Sequence, residues 1–94
     1  MYYMNIVWDE MKNKSNIKKH GVSFETASYI FEDPLHISVP DRIVDGEERW
    51  LTMGLVGGMV VLVVAHTYDD EIIRIVSARK ATKYERKKYE EKSH

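Results

Sequence analysis

The chain has 94 residues, 44% hydrophobic and 31% charged, with a formal net charge of −1 and no cysteine; this is one globular domain over residues 1–94 with a single modest core. Neither a disulfide framework nor a thiolate metal site is available, and the four histidines, at 20, 36, 66 and 94, form no local ligand pair. The longest apolar run, Met59 to Ala65, has seven residues against the ~20 of a spanning helix, and MYYMNIVWDE has no basic segment followed by a long apolar one, so no membrane span, no secretory signal and a cytoplasmic location are expected.

Residues 3–8, YMNIVW, mix aromatic and β-branched types and predict a first strand. Asp9 is a good N-cap for a helix over about 10–19, which Gly21 stops. Ser23 caps a second helix over roughly 24–32, with Phe24, Ala27, Ile30 and Phe31 at near-helical spacing, and Asp33-Pro34 ends it. LHISV then alternates Leu35, Ile37 and Val39 as a short strand closed by Pro40. DRIVDGEE reads as an acidic loop with Asp45-Gly46 as its turn. Three strands follow at about 49–56, 59–67 and 72–79, joined by Gly57-Gly58 and Asp69-Asp70. MVVLVVA in the middle one is apolar at both parities, which suits a central strand covered on both faces. Thr82 and Glu85 have capping-box spacing and open a last helix to about 91. The order β-α-α-β-β-β-β-α predicts an α+β fold: an antiparallel sheet with two N-terminal helices and one C-terminal helix, packed largely on one face.

Charge is unevenly spread. Residues 71–94 hold eight Lys/Arg against four Glu, a net +4, and residues 32–48 hold one Arg against six acids, a net −5. A near-neutral chain thus has room for a basic surface. Polar residues close the central strands: His66, Thr67 and Tyr68 end one, Arg49 opens its neighbour, and Arg74, Ser77 and Arg79 lie on the next. In an antiparallel meander these ends are expected to converge on one open face. Guanidinium groups grip a phosphate and stabilise charge developing on its oxygens, and an imidazole or phenol moves the proton of a 2′-hydroxyl or a leaving oxygen. Blander readings stand beside this one. The arginines fit solvated strand ends or ion pairs with the acidic loop, His66 fits a hydrogen-bonded strand-end residue, and His20 fits a macrodipole partner at a helix C-terminus. The last helix reads as a solvated helix packed through Tyr84 and Tyr89, or as a surface for RNA or a protein.

Three ordered blocks carry a resemblance that covers nearly the whole chain. IVWDEMKNKSNIKKHGVSFETASYIFEDP supplies Trp8, Asp9, Lys12, Asn16, Lys19, His20, Gly21, Val22 and Phe24. EERWLTMGLV supplies Glu48, Arg49 and Gly54, and IIRIVSARKATKYERKKYE supplies Arg74 through Thr82, Glu85 and Arg86. On these residues the chain resembles the BrnT-type toxins of type II toxin–antitoxin systems, within the broader RelE/ParE-like group. Tyr2 and Tyr3 precede the resembling part, so initiation at Met4 is an alternative.

The resemblance implies a RelE-like fold and a metal-independent endoribonuclease that cleaves RNA, arrests translation and uses no cofactor. It implies a cognate BrnA-like antitoxin, a ribbon-helix-helix DNA binder, in a heterotetramer with two toxins; DNA would be met only through the antitoxin. The matching blocks bring Arg49, Arg74, Arg79, Lys80 and His20 into the expected site, and the strand ends add His66 and Tyr68. Arg79 and Arg49 would hold the scissile phosphate with Arg74 assisting, and His66, Tyr68 or His20 would transfer protons. Lys80, Lys83 and Arg86 would bind substrate. The alternative is a non-catalytic toxin or corepressor acting through protein–protein contacts.

Overall fold

The computed structural model describes residues 5–92; Tyr3 and Met4 of the expected first strand, the alternative start at Met4, and His94 lie outside them. Five strands form one sheet in the order β1-β5-β4-β3-β2. They are β1 (Asn5–Trp8), β2 (Ile37–Val44), β3 (Glu47–Val56), β4 (Val60–Asp69) and β5 (Ile72–Lys80). β2 to β5 form an antiparallel meander, but β1 runs parallel to β5, pairing Asn5 with Ile72 and Trp8 with Ile75. The sheet is therefore mixed, not antiparallel throughout as expected. Tight turns fix antiparallel direction only between consecutive strands, and helices separate β1 from β2, so the direction of β1 is not set locally.

β2 runs on through Pro40 to Val44, where a loop was expected. It is an edge strand, where a proline can sit without breaking the ladder, and its register shifts between Pro40 and Arg42. Only the turn of the expected loop survives: Asp45 and Gly46, at φ 52° and 76°, reverse the chain.

Asp9 caps α1 (Glu10–His20), accepting from the N–H groups of Met11 and Lys12 at 2.8 and 3.2 Å. The residues α1 buries are Asn13 and Asn16. The ladder with β1 stops at Ile75, and Asn16 serves β5 beyond it. Its amide donates to the carbonyls of Ala78 and Val22, both at 2.8 Å, and accepts from the Ala78 N–H at 3.1 Å. Asn13 accepts from the Phe24 N–H at 2.8 Å. The second expected helix is a short α2 (Phe24–Ser28) continued by a 3₁₀ turn over Tyr29–Glu32. Ile30 in that turn sits directly on Gly54 of β3, where a Cβ would stand 2.7 Å from the Ile30 Cβ.

Phe24, Ala27 and Ile30 pack on Leu62, Val64, Ile73, Ile75 and Ala78 to form the core. The last helix, α3 (Lys83–Lys92), lies against the other face, where Tyr84, Glu85 and Lys88 line a groove with Leu51, Met53 and Val63. Those residues alternate with the core-facing Thr52 and Val64. Helices therefore cover both faces, which corrects the one-sided packing expected and accounts for a central strand apolar at both parities. The capping box forms, with the Glu85 N–H on Thr82 Oγ1 at 3.1 Å and the Thr82 N–H on Glu85 Oε1 at 2.9 Å. Buried Tyr89 donates to the Asp33 carboxylate, which also accepts from the N–H groups of Leu55 and Leu35. Burial pushes the Asp33 carboxyl up, but these three bonds outweigh it and leave its pKa lowered.

Candidate nucleic-acid interface

Cross-strand partners share a face of the sheet, and successive residues alternate. Arg42 pairs with Arg49, and Thr67 pairs with Arg74. Trp50 pairs with His66, so Arg49 and Thr67 are the next residues to face each other. Arg42, Arg49, Thr67 and Arg74 thus make one row across four strands, about 5 Å per strand. The neighbouring row, on the core face, is Pro40, Trp50, His66 and Ile75. The expected convergence is therefore partial. Arg49 and Arg74 come together, whereas His66 and Tyr68 lie behind them, because alternation sends His66 and Thr67 to opposite faces.

Glu47, at the start of β3, answers both arginines. Its Oε1 lies 2.5 Å from Arg74 Nη2 and 3.8 Å from Arg49 Nε. The Arg74 hydrogen bond, with the charges of Arg74, Arg49 and Lys12 behind it, holds the Glu47 carboxyl below its ordinary value. Three cations attend one carboxylate, so the row keeps a positive surplus. Arg49 Nε is buried and, among the described residues, has no hydrogen-bond partner. An unmade buried donor is costly, and an oxyanion seated between the two arginines would supply an acceptor.

Arg79 stands apart. Five residues of β5, about 16 Å, separate it from Arg74. Its guanidinium makes two bonds to the Glu85 carboxylate, at 2.7 and 2.9 Å, and one to the Lys80 carbonyl at 3.3 Å. The Arg79 bonds, helped by the Thr82 N–H and opposed by burial, bring Glu85 down to about 2. The same pairing raises the Arg79 pKa. Arg79 thus fastens α3 to β5. Lys80, Lys83 and Arg86 are exposed around that junction and contribute a positive field there. His20 ends α1, half-buried.

On the core face a cleft of about 290 Å³ opens between Phe31, His36, Ser38, Trp50, His66 and Tyr68. Phe31 stands edge-on to both histidine rings, 5.1 Å from His66 and 6.3 Å from His36. His66 is only 4% exposed. Its Nδ1 lies 3.0 Å from the Thr67 carbonyl oxygen and its Nε2 lies 2.6 Å from Thr52 Oγ1, so both nitrogens are engaged. Burial, with the charge of His36 adding to it and the Thr67 carbonyl opposing, lowers the His66 pKa. Thr52 in turn lies 2.7 Å from Ser38 Oγ. Sequence reasoning missed Glu47, which it counted with the acidic loop, and Phe31, His36, Ser38 and Trp50. Strand alternation around Arg49 points to Trp50; no local signal joins Ser38 to Thr52.

Fold and site define a small α+β domain with arginines from three strands in one row on a single sheet face. The family described as "Ribonuclease toxin, BrnT, of type II toxin-antitoxin system" matches residues 8–85, and the chain belongs to that family, which implies an antitoxin partner. The crystal structure of the Brucella abortus ribonuclease toxin BrnT is similar at a TM-score of 0.62 and 24% sequence identity, covering 86% of this chain and 100% of that one. At that identity the likeness speaks for the fold. No curated protein matches the chain. Among the described residues no helix is long and apolar enough to cross a membrane.

Proposed function

We propose that this chain cleaves RNA, and that the scissile phosphate lies between Arg49 and Arg74. The observation that carries the reading is Glu47, one carboxylate shared by two arginines at the position an anion would take. A phosphodiester that displaces it is gripped by both guanidinium groups, which stabilise charge growing on its oxygens. Glu47, displaced but ionised, accepts the 2′-hydroxyl proton as that oxygen attacks phosphorus. A cyclic phosphate forms, and the departing 5′-oxygen takes a proton from water. The arginines supply the positive charge, so no metal is used. His66, with both nitrogens engaged, shapes the cleft instead of moving this proton; Tyr68 and His20 remain the other groups to test.

The same reading gives the chain RelE-like kinship, cytoplasmic action and translation arrest. Its antitoxin is a BrnA-like ribbon-helix-helix protein, in a heterotetramer with two toxins, through which alone DNA is met. Family membership over residues 8–85 supports these points. The test is digestion of total RNA in EDTA by the purified chain, beside an Arg49→Ala/Arg74→Ala double variant and Arg79→Ala. Cleavage should fall on the order of 10²-fold or more in the double variant and persist in Arg79→Ala. Intact RNA with the wild type, both in EDTA and in a translating extract, would leave a non-catalytic toxin or corepressor.

A further inference from the structure

The aromatic cleft behind the arginine row has a proton arrangement that follows from one bond. The Thr67 carbonyl can only accept, so His66 Nδ1 carries the hydrogen and Nε2 a lone pair. Thr52 must give its single proton to that nitrogen, which leaves it an acceptor for Ser38. The Ser38 proton is thereby committed inward, and its lone pairs are left for the cleft it lines. The same reasoning places a hydrogen on His36 Nδ1, which lies 2.7 Å from the Asp33 carbonyl oxygen, so whenever that ring holds a single proton its Nε2 is an acceptor. Two acceptors therefore stand among the rings of Phe31, Trp50 and Tyr68.

A flat ring with N–H donors on its edge satisfies both the aromatic walls and the polar groups. The cleft is also near the ~300 Å³ lower bound of small-ligand pockets, which suits a single base. Its position adds a reason of its own. Trp50 follows Arg49 in β3 and Tyr68 follows Thr67 in β4, so cleft and arginine row occupy opposite faces of the same end of the sheet. A single strand crossing that end offers a phosphate to one face and a base to the other.

We propose that the cleft is a nucleobase subsite that takes an amino-bearing base, adenine, cytosine or guanine, in preference to uracil. The RNA origin of that base rests on the reading above, but the subsite is tested with free nucleosides, so the two fail separately. The chain has two tryptophans, and NMR resolves their indole N–H signals. Titration with cytidine or adenosine should shift Trp50 and leave Trp8 in place, with uridine binding about tenfold more weakly. Ser38→Ala, a change at an exposed residue, should bring cytidine down to the uridine level. Trp50→Ala should weaken all nucleosides about tenfold or more, while Arg49→Ala/Arg74→Ala should leave nucleoside binding intact. Equal affinity for cytidine and uridine, or a Trp50 signal unmoved by any nucleoside, would overturn the subsite. So would a shift produced by an antitoxin and by no nucleoside, which would make the cleft a seat for a protein side chain. Nucleoside binding without RNA cleavage would keep the subsite and sink the ribonuclease reading.

Discussion

Arg74 and Arg79 lie five residues apart on β5 and do opposite things. Arg74 reaches a carboxylate that Arg49 also approaches, so positive charge is left over. Arg79 takes both oxygens of Glu85, the residue that also completes the α3 cap, and that pairing is neutral and closed. Residue type does not separate the arginine proposed to bind from the one that fastens; the supply of acceptors does. A shared carboxylate can be exchanged for a phosphate, whereas exchanging a bidentate one unfastens a helix.

The largest effect expected from this contrast is on catalysis. Arg74→Ala should lower RNA cleavage on the order of 10²-fold and change stability by no more than about 0.5 kcal/mol, since its side chain and that of Glu47 are 38% and 45% exposed. Paired measurements of cleavage rate and urea midpoint check both halves. A large stability loss with unchanged cleavage would reverse the roles assigned to the two arginines. Glu47→Gln divides the site more finely. Removing the competing charge should lower KM several-fold, and removing the proton acceptor should lower kcat on the order of 10²-fold. A fall in KM with kcat unchanged would make Glu47 only a placeholder for phosphate.

Arg79→Ala should act in the other direction. It leaves the Glu85 carboxylate accepting from the Thr82 N–H, and the Glu85 N–H donating to the Thr82 hydroxyl, but removes the two guanidinium bonds. A partly exposed bidentate pair of this kind contributes about 1–2 kcal/mol. Denaturant unfolding should show that loss, with cleavage per folded molecule within a factor of about three of wild type, below the tenfold that one lost catalytic interaction of 1.4 kcal/mol produces.

How much of this the residues announce depends on the range of the interaction. Asp9, Gly21, Ser23 and the Thr82–Glu85 box act within a few positions, and each cap forms where its spacing puts it. The hairpin turn Asp45-Gly46 is equally local, yet it was embedded in an acidic stretch whose strand character comes only from pairing with β3. Nothing near β1 says that its partner is β5, or that it runs parallel. The site divides along the same line. Arg49 and Arg74 were both legible as strand-end arginines, but which carboxylate each meets depends on register across β3, β4 and β5. A register one residue different would have put His66 beside them.

The smallest effect separates the two ion pairs by pH. Glu85 titrates at about 2 in the folded chain against an ordinary value of 4.5. A carboxyl lowered by folding stabilises fully above the unfolded value, and the gain disappears as pH falls through the folded one. Shielded from water, that difference would be worth ~3 kcal/mol, but Arg79 is 39% exposed, and solvent screening reduces it to about 1–2 kcal/mol. Between pH 4.5 and 2 the wild type should therefore lose that amount, and Arg79→Ala should have little of it left to lose. Asp33, also lowered, contributes in the same direction in both proteins, so the difference between the curves isolates the Glu85 pairing. Glu47 is lowered too, but its carboxylate lies at the surface where salt screens it, so Arg74→Ala should follow the wild-type acid limb. If Arg74→Ala flattened that limb as Arg79→Ala does, Arg74 would be a second fastener, and the arginine row would lose its claim to be a binding surface.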